Sequence, residues 1–292
     1  MLELLRADFR RLFKNKIFWL ECALMFGMAI YCIVGTLVGN KSAEEPTSSP
    51  DSLVIALSTI SGVLSAVFAA FFIGTEHSDG TMRNKLIVGR TRAQIYFAGL
   101  IVCSAAALIV NLVFIITLSV GGSIFIGRFA ADLSAVLSAI LLSFISDIAF
   151  AAVALFGAMM ITNKAASVAV LTVAAFLLFA YADVVSNRLS TPEYFDAFTY
   201  ADSEGNIHEE PRQPNASYPT GAKRKYYEFM YDTIPGCQLM QTQNFLYEAA
   251  ANGGKLTKEE NQKLLGFAGT SLIIVILATG AGVILFKRKD LK

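Results

Sequence analysis

Six long apolar runs leave this chain very few architectures. A bilayer hydrocarbon core about 30 Å thick takes roughly 20 apolar helical residues to cross. Residues 17–39, 53–74, 95–120, 135–161, 166–184 and 265–286 each meet that requirement. In lipid every backbone N–H and C=O must be satisfied within the segment, so each run is expected to fold as a helix. The apolar residues come in blocks, not in the one-sided stripes of soluble helices. Hydrophobic residues make up 55% of the chain and charged residues 16%, where soluble domains carry about 25% charged. The expected fold class is therefore an all-α polytopic membrane protein with six transmembrane helices. The fifth run is the shortest and is joined to the fourth by a tight turn at ITNKAA. The first is too long for a signal-peptide core and lacks a small-residue cleavage site after it, so it reads as a retained anchor.

Lysine and arginine placement sets the expected orientation. Arg6, Arg10, Arg11, Lys14 and Lys16 precede the first span. Arg83, Lys85, Arg90 and Arg92 follow the second, Lys164 follows the fourth, and Lys287, Arg288, Lys289 and Lys292 end the chain. The remaining short loops hold only Lys41 and Arg128. Both termini are thus expected in the cytoplasm. The domain organisation reads as a cytoplasmic amphipathic helix (1–16), spans one to five (17–185) with a charged loop at 75–93, an extracytoplasmic segment (186–264), a sixth span (265–286) and a cytoplasmic tail (287–292). Residues 186–235, rich in Pro, Asn, Ser, Tyr and acids, are expected to be irregular with short helices. From Gly236 a helix is expected with Leu239, Phe245, Leu246 and Ala249 on one side, stopped at Gly253 and Gly254. Thr257 and Glu260 form a capping box that can start a helix running into the last span.

Two cytoplasmic pieces carry pattern beyond topology. Leu2, Leu5, Phe9 and Leu12 recur at spacings of three, four and three with basic residues between them. That suits an amphipathic helix in the headgroup layer, although a positive-inside flank would also place basic residues there. In the loop IGTEHSDGTMRNKLIVGRTR (73–92), Asp79 can cap a short helix, Gly89 can end it and Thr91 can cap the next span. Met82 and Leu86 stand four apart and share a face. A helix this short needs a membrane surface or a partner to hold it. The plainer reading is a charged connector obeying the topology rules.

At this loop the chain resembles the type-2 ABC transporter permease family. The matching residues are Glu76, Gly80, Thr81, Arg83, Asn84, Gly89, Thr91 and Arg92, with His77 where the family commonly has an aromatic. The layout is similar too: an amphipathic N-terminal helix, six spans, both ends cytoplasmic and a large outer loop between spans five and six. IPGCQ at 234–238 resembles a further family element, and the length is similar to that of the sodium, bacteriocin, lantibiotic and peptide exporter subgroup. The resemblance implies a permease subunit of an ATP-driven bacterial exporter in the inner membrane, moving an amphipathic peptide, drug or lipid. It implies two ABC ATPase subunits on separate chains, which bind ATP and Mg, and a second permease subunit, identical or related. It also implies that the loop docks on the ATPase, with Met82 and Leu86 as an apolar knob and Glu76, Arg83 and Arg90 orienting it. No G-x-x-x-x-G-K-[ST] string is present in this chain; Asn252-Gly-Gly-Lys-Leu lacks both the spacing and the hydroxyl.

The alternative function class is a membrane sensor or immunity protein whose outer segment binds a peptide without net transport. Asp147, central in the fourth span, reads either as a translocation-path residue or as a paired carboxyl that stabilises packing, with Asn111, Ser143 and Ser146 as partners. Glu21 is expected to snorkel or to pair with a cytoplasmic arginine. No paired carboxylates, Ser-Lys pair or His cluster suggests an enzyme. Cys22, Cys32, Cys103 and Cys237 lack disulfide or metal spacing, so no cofactor or metal is expected on this chain. No basic cluster is interleaved with aromatics, so nucleic acid is not an expected partner. Membrane lipids are.

Overall fold

The computed structural model describes residues 1–42, 50–51, 53–56, 58–201 and 207–289. In chain order they form α1 (Leu2–Lys14), α2 (Lys16–Ser42), α3 (Leu53–Ala56), α4 (Ser58–Ser78), α5 (Thr81–Ile87), α6 (Arg92–Phe125), α7 (Leu133–Met160) and α8 (Lys164–Ser190). Strands β1 (Tyr194–Phe195), β2 (Phe198–Ala201), β3 (Ile207–Glu210) and β4 (Gln213–Pro214) follow, then α9 (Gly221–Thr233), α10 (Pro235–Ala251) and α11 (Lys258–Arg288). Of the tail assigned to 287–292, residues 290–292 lie outside the described residues.

Among the described residues six helices are long and apolar enough to cross a membrane: α2, α4 from Ile60, α6, α7, α8 and α11. At 1.5 Å per residue the 28 residues of α7 reach about 42 Å, the hydrocarbon core and much of both headgroup layers. α7 is the hub, packing on α4, α6, α10 and α11. Its buried residues include Ala135, Ala139, Ala149, Ala151, Ala154 and Ala158. Small side chains let backbones approach, which is how helices gain packing energy where lipid removes the hydrophobic drive. The same logic operates at Gly282 of α11, where an added Cβ would collide with the Tyr96 ring of α6. α8 and α11, by contrast, leave Val173, Phe176, Leu177, Ile276 and Leu277 exposed, surface that only lipid or another membrane chain can cover.

The fifth run, shortest in the sequence reading, becomes the 27-residue α8, because Asn163 caps it at one end and polar residues carry it on to Ser190. The second run supplies α3 and α4. The last run is longer than its apolar core. Thr257 and Glu260 form the reciprocal capping box, and the helix continues unbroken through the span.

The two ends of the bundle differ in chemistry. One end gathers α1, α5 and the basic end of α11. The other carries the 191–257 segment, which is more regular than its composition suggested. β1 pairs antiparallel with β4, and β2 with β3. Alternation in strands of two to four residues is too brief to separate them from loop in the sequence. α10 buries Leu239, Leu246 and Ala249, and Gly253 and Gly254 follow it with positive φ. Gln238 of α10 donates Nε2 to Thr270 Oγ1 at 2.6 Å and accepts from Ser271 Oγ at 3.0 Å, tying the segment to α11. Asp51 accepts from the backbone N–H groups of Ala130 and Ala131 at 2.9 and 2.8 Å, which fixes the connection between α6 and α7.

Candidate functional site

The loop after the second span folds into α5, held between two glycines in the left-handed region. Gly80 (φ 68°) precedes it, and Asp79 gives no side-chain cap. At its other end the Gly89 N–H bonds Leu86 O at 2.9 Å and the Arg90 N–H bonds Lys85 O at 3.1 Å. With Gly89 at φ 85° this is a Schellman stop, which needs a residue without a Cβ penalty. Thr91 then accepts from the Gln94 N–H and starts α6 with a capping box.

Seven residues cannot hold a helix in water; here an ion-paired cluster holds it. Lys85 Nζ lies 2.9 Å from Asp8 Oδ1 of α1 and 2.6 Å from Glu76 Oε1 of α4. Arg11 of α1 also pairs with Glu76 and stacks over the Phe72 ring with its guanidinium 4.5 Å from the centroid. Asp8 and Glu76 are both buried, at 1% and 2% exposure. A second pair, Arg90 Nη2 to Glu3 Oε2 at 2.5 Å, joins the end of α5 to the start of α1. Burial, then the Glu76 charge, raise Asp8 above the ordinary carboxylate range, while Lys85 and Arg11 pull it back in part. Thr81 donates Oγ1 to Glu76 O at 3.1 Å. α1, α4 and α5 thus form one charged junction.

The structure redistributes the roles expected in this loop. Glu76 and Arg90 do sit at the junction. Met82 does not face outward: it is 1% exposed and part of the main core, because the turn at Gly80 points the first turn of α5 into the bundle. Leu86 is half-buried against the same core. The apolar residues on the surface are Ile87 and Val88, 78% and 75% exposed. Arg83 and Asn84 are exposed beside them, and Arg83 makes no ion pair among the described residues, so the clamping falls to Lys85. On α1, Leu12 is fully buried and Leu5 and Phe9 pack on the core, but Leu2 is exposed and its place in the buried face is taken by Leu4. Leu4, Asp8 and Leu12 recur every fourth residue. Asp8 on the Leu4–Leu12 line was a sequence hint that α1 buries a charge, though not of what that charge meets.

The junction continues into α11. Arg92 Nη1 donates to Phe286 O at 2.9 Å and to Lys289 O, and Lys289 Nζ donates to Met159 O at 2.6 Å. The last helix, the end of α7 and the loop that carries α5 are therefore joined by cations on helix C-terminal carbonyls, a favourable pairing with the helix dipole.

Asp147 and Asn111 come together, as the sequence suggested, inside the bundle. Asn111 Nδ2 donates to Asp147 Oδ2 at 2.6 Å and to Ser143 Oγ at 3.2 Å. Ser61 Oγ donates to Asp147, and Ser58 Oγ to Asn111 Oδ1 at 3.3 Å. Both residues have no exposed surface. The cluster pins α4, α6 and α7 to one another and opens to no solvent in this conformation. Ser146 Oγ, also buried, has no hydrogen-bond partner among the described residues. Glu21 does not snorkel: it is 4% exposed and its Oε1 has no hydrogen-bond partner among the described residues.

A family model for ABC-2 family transporter proteins matches residues 4–183, from α1 through the fifth span and more than half of the chain. The chain belongs to the ABC-2 transporter family. No curated protein matches it significantly. As an ABC-2 family member it is a multi-pass membrane protein and a transport subunit of an ABC transporter. Subunits of this kind typically work with ATPase subunits. The matched region takes in Asp8, Arg11, Glu76 and Lys85 of the junction but not Glu3, and stops before the β-strands, α9, α10 and α11.

Proposed function

We propose that this chain is the permease of an ATP-driven exporter with both termini in the cytoplasm of a bacterium, and that α5 couples it to a separate ATPase. The observation that carries the reading is the clamp: Asp8, Glu76, Arg11 and Lys85 hold a seven-residue helix on the bundle while Ile87 and Val88 stay exposed. Exposed apolar residues beside a fixed ionic anchor are what a docking helix requires, since burial of a single such side chain supplies roughly 1.5–3 kcal/mol. A partner that presses on Ile87 and Val88 pushes a rigid unit, not a loop. The push reaches α1 through Lys85 and Arg90, α4 through Glu76, and α7 and α11 through Arg92 and Lys289. The uncovered apolar faces of α8 and α11 support a second permease subunit or lateral entry of an amphipathic substrate.

Co-purification with the ATPase, followed by hydrolysis measurements, tests this. Ile87→Asp with Val88→Asp is expected to release the ATPase and lower stimulated hydrolysis at least tenfold, with the permease still monodisperse. Unchanged binding and hydrolysis in that variant would remove α5 from the coupling path and return the sensor reading to the front.

A further inference from the structure

α1 has a second face that the clamp does not use. Arg6, Arg10 and Lys14 recur every fourth residue and so stand in one row along the helix. All three are exposed, and none makes an ion pair among the described residues. Like charges at this spacing repel and weaken a helix, so the row is best tolerated with an anion against it. Together with Arg11, Asn15 and Thr75 the row lines a groove of about 560 Å³ between α1 and α4, within the usual size of small-molecule sites. Glu3 also borders the groove, but Arg90 already engages it.

Two observations identify the anion. The helix edge beside the row is apolar: Leu2 is 83% and Phe13 50% exposed. Trp19, the sole tryptophan, is 56% exposed and donates its indole N–H to Phe13 O at 2.8 Å, directly after the row. Exposed tryptophan at the end of a spanning helix sits at the headgroup level. A cationic groove at that depth with an apolar margin matches a phosphate that carries acyl chains. Guanidinium pairs suit phosphate oxygens because their donors are forked.

We propose that the groove binds the headgroup of one anionic phospholipid, with Arg6, Arg10 and Lys14 on the phosphate and the chains along Phe13 and Trp19. The inference rests on the cytoplasmic side assigned to the N-terminus in the proposed function, but not on ATPase docking. Its test uses the full permease chain alone, so the two can fail separately.

Quenching of Trp19 fluorescence in neutral detergent by phosphatidylglycerol brominated on its chains is the measurement. Saturable quenching is expected at a concentration at least tenfold lower than for brominated phosphatidylcholine, with one adduct by native mass spectrometry. The triple variant Arg6→Gln, Arg10→Gln, Lys14→Gln should lose the preference at an unchanged lipid-free melting temperature. Arg10→Lys, and Lys223→Gln with Lys225→Gln on α9, should keep it. Equal affinity for the two lipids would overturn the proposal. So would complete displacement by inorganic phosphate, which would assign the groove to a soluble anion. A triple variant that keeps the lipid preference would take the row out of lipid binding, and would overturn it too.

Discussion

Lys85 shows how much one side chain decides in this molecule. It is a single cation set between two buried carboxylates on two different helices. Without it Asp8 and Glu76 would face each other with only Arg11 to neutralise them, and breaking a buried pair costs about 3–5 kcal/mol. The arrangement also makes stability respond to pH. Burial and the Glu76 charge hold Asp8 above its ordinary range, so at intermediate pH the folded protein keeps a proton that the unfolded chain has released. Stability then falls as pH rises from the ordinary carboxylate value through the raised one. The wild-type melting temperature in detergent is expected to climb on acidification across that window, and Asp8→Asn should flatten the climb. Parallel curves for the two proteins would show that Asp8 is not the titrating group. The cluster was only half legible in the sequence: Glu76 belongs to a recognisable motif and Arg90 lies in the same loop, whereas Asp8 and Lys85 are linked across 77 positions and no local pattern announces their meeting.

At the scale of the element, α5 exists because its two ends are specified. Gly80 and Gly89 both take positive φ, and nothing lies within 4 Å of where a Cβ would be at either. The cost of substitution at Gly89 is therefore purely conformational, about 1–2 kcal/mol for an L-residue held left-handed. Gly89→Ala should lower the melting temperature and speed proteolysis between α5 and α6. Gly35→Ala, in the middle of α2 and equally free of neighbours, should be neutral or slightly stabilising, because alanine favours helix by up to about 1 kcal/mol. If the two substitutions behave alike, the turn at Gly89 is not what holds the loop. The closing glycine of α5 and the cap at Thr91 could be read from residue types alone, whereas the cap expected from Asp79 is not made and Gly80 starts the helix. Which apolar residues it shows could not. Met82 and Leu86 share a face in any helix, but the angle of entry at Gly80 decides whether that face meets solvent or the bundle, and it meets the bundle.

Among the described residues the molecule is a bundle of six candidate spans with a charged junction at one end and a mixed strand and helix segment at the other. The proposed topology makes a direct prediction for single cysteines in a background with the four native ones replaced. In intact cells a cysteine at Arg83 should resist an impermeant maleimide, and one at Lys223 of α9 should react. Labelling of both positions, or of Arg83 alone, would reverse or abolish the assigned orientation. The number and nature of the spans followed from the sequence, since a lipid solvent demands long apolar helices and the requirement acts residue by residue along the chain. So did the family, carried by a contiguous loop and matched over residues 4–183. Contacts made across long separations were the work of the tertiary structure. Asp147 finds Ser61 and Asn111, Gly282 admits Tyr96, and Lys85 bridges α1 and α4. Helical periodicity places a residue on a face but does not say what that face will meet. Only the packing of the bundle buried Met82, exposed Ile87 and Val88, and joined α5 to the rest of the protein through charge.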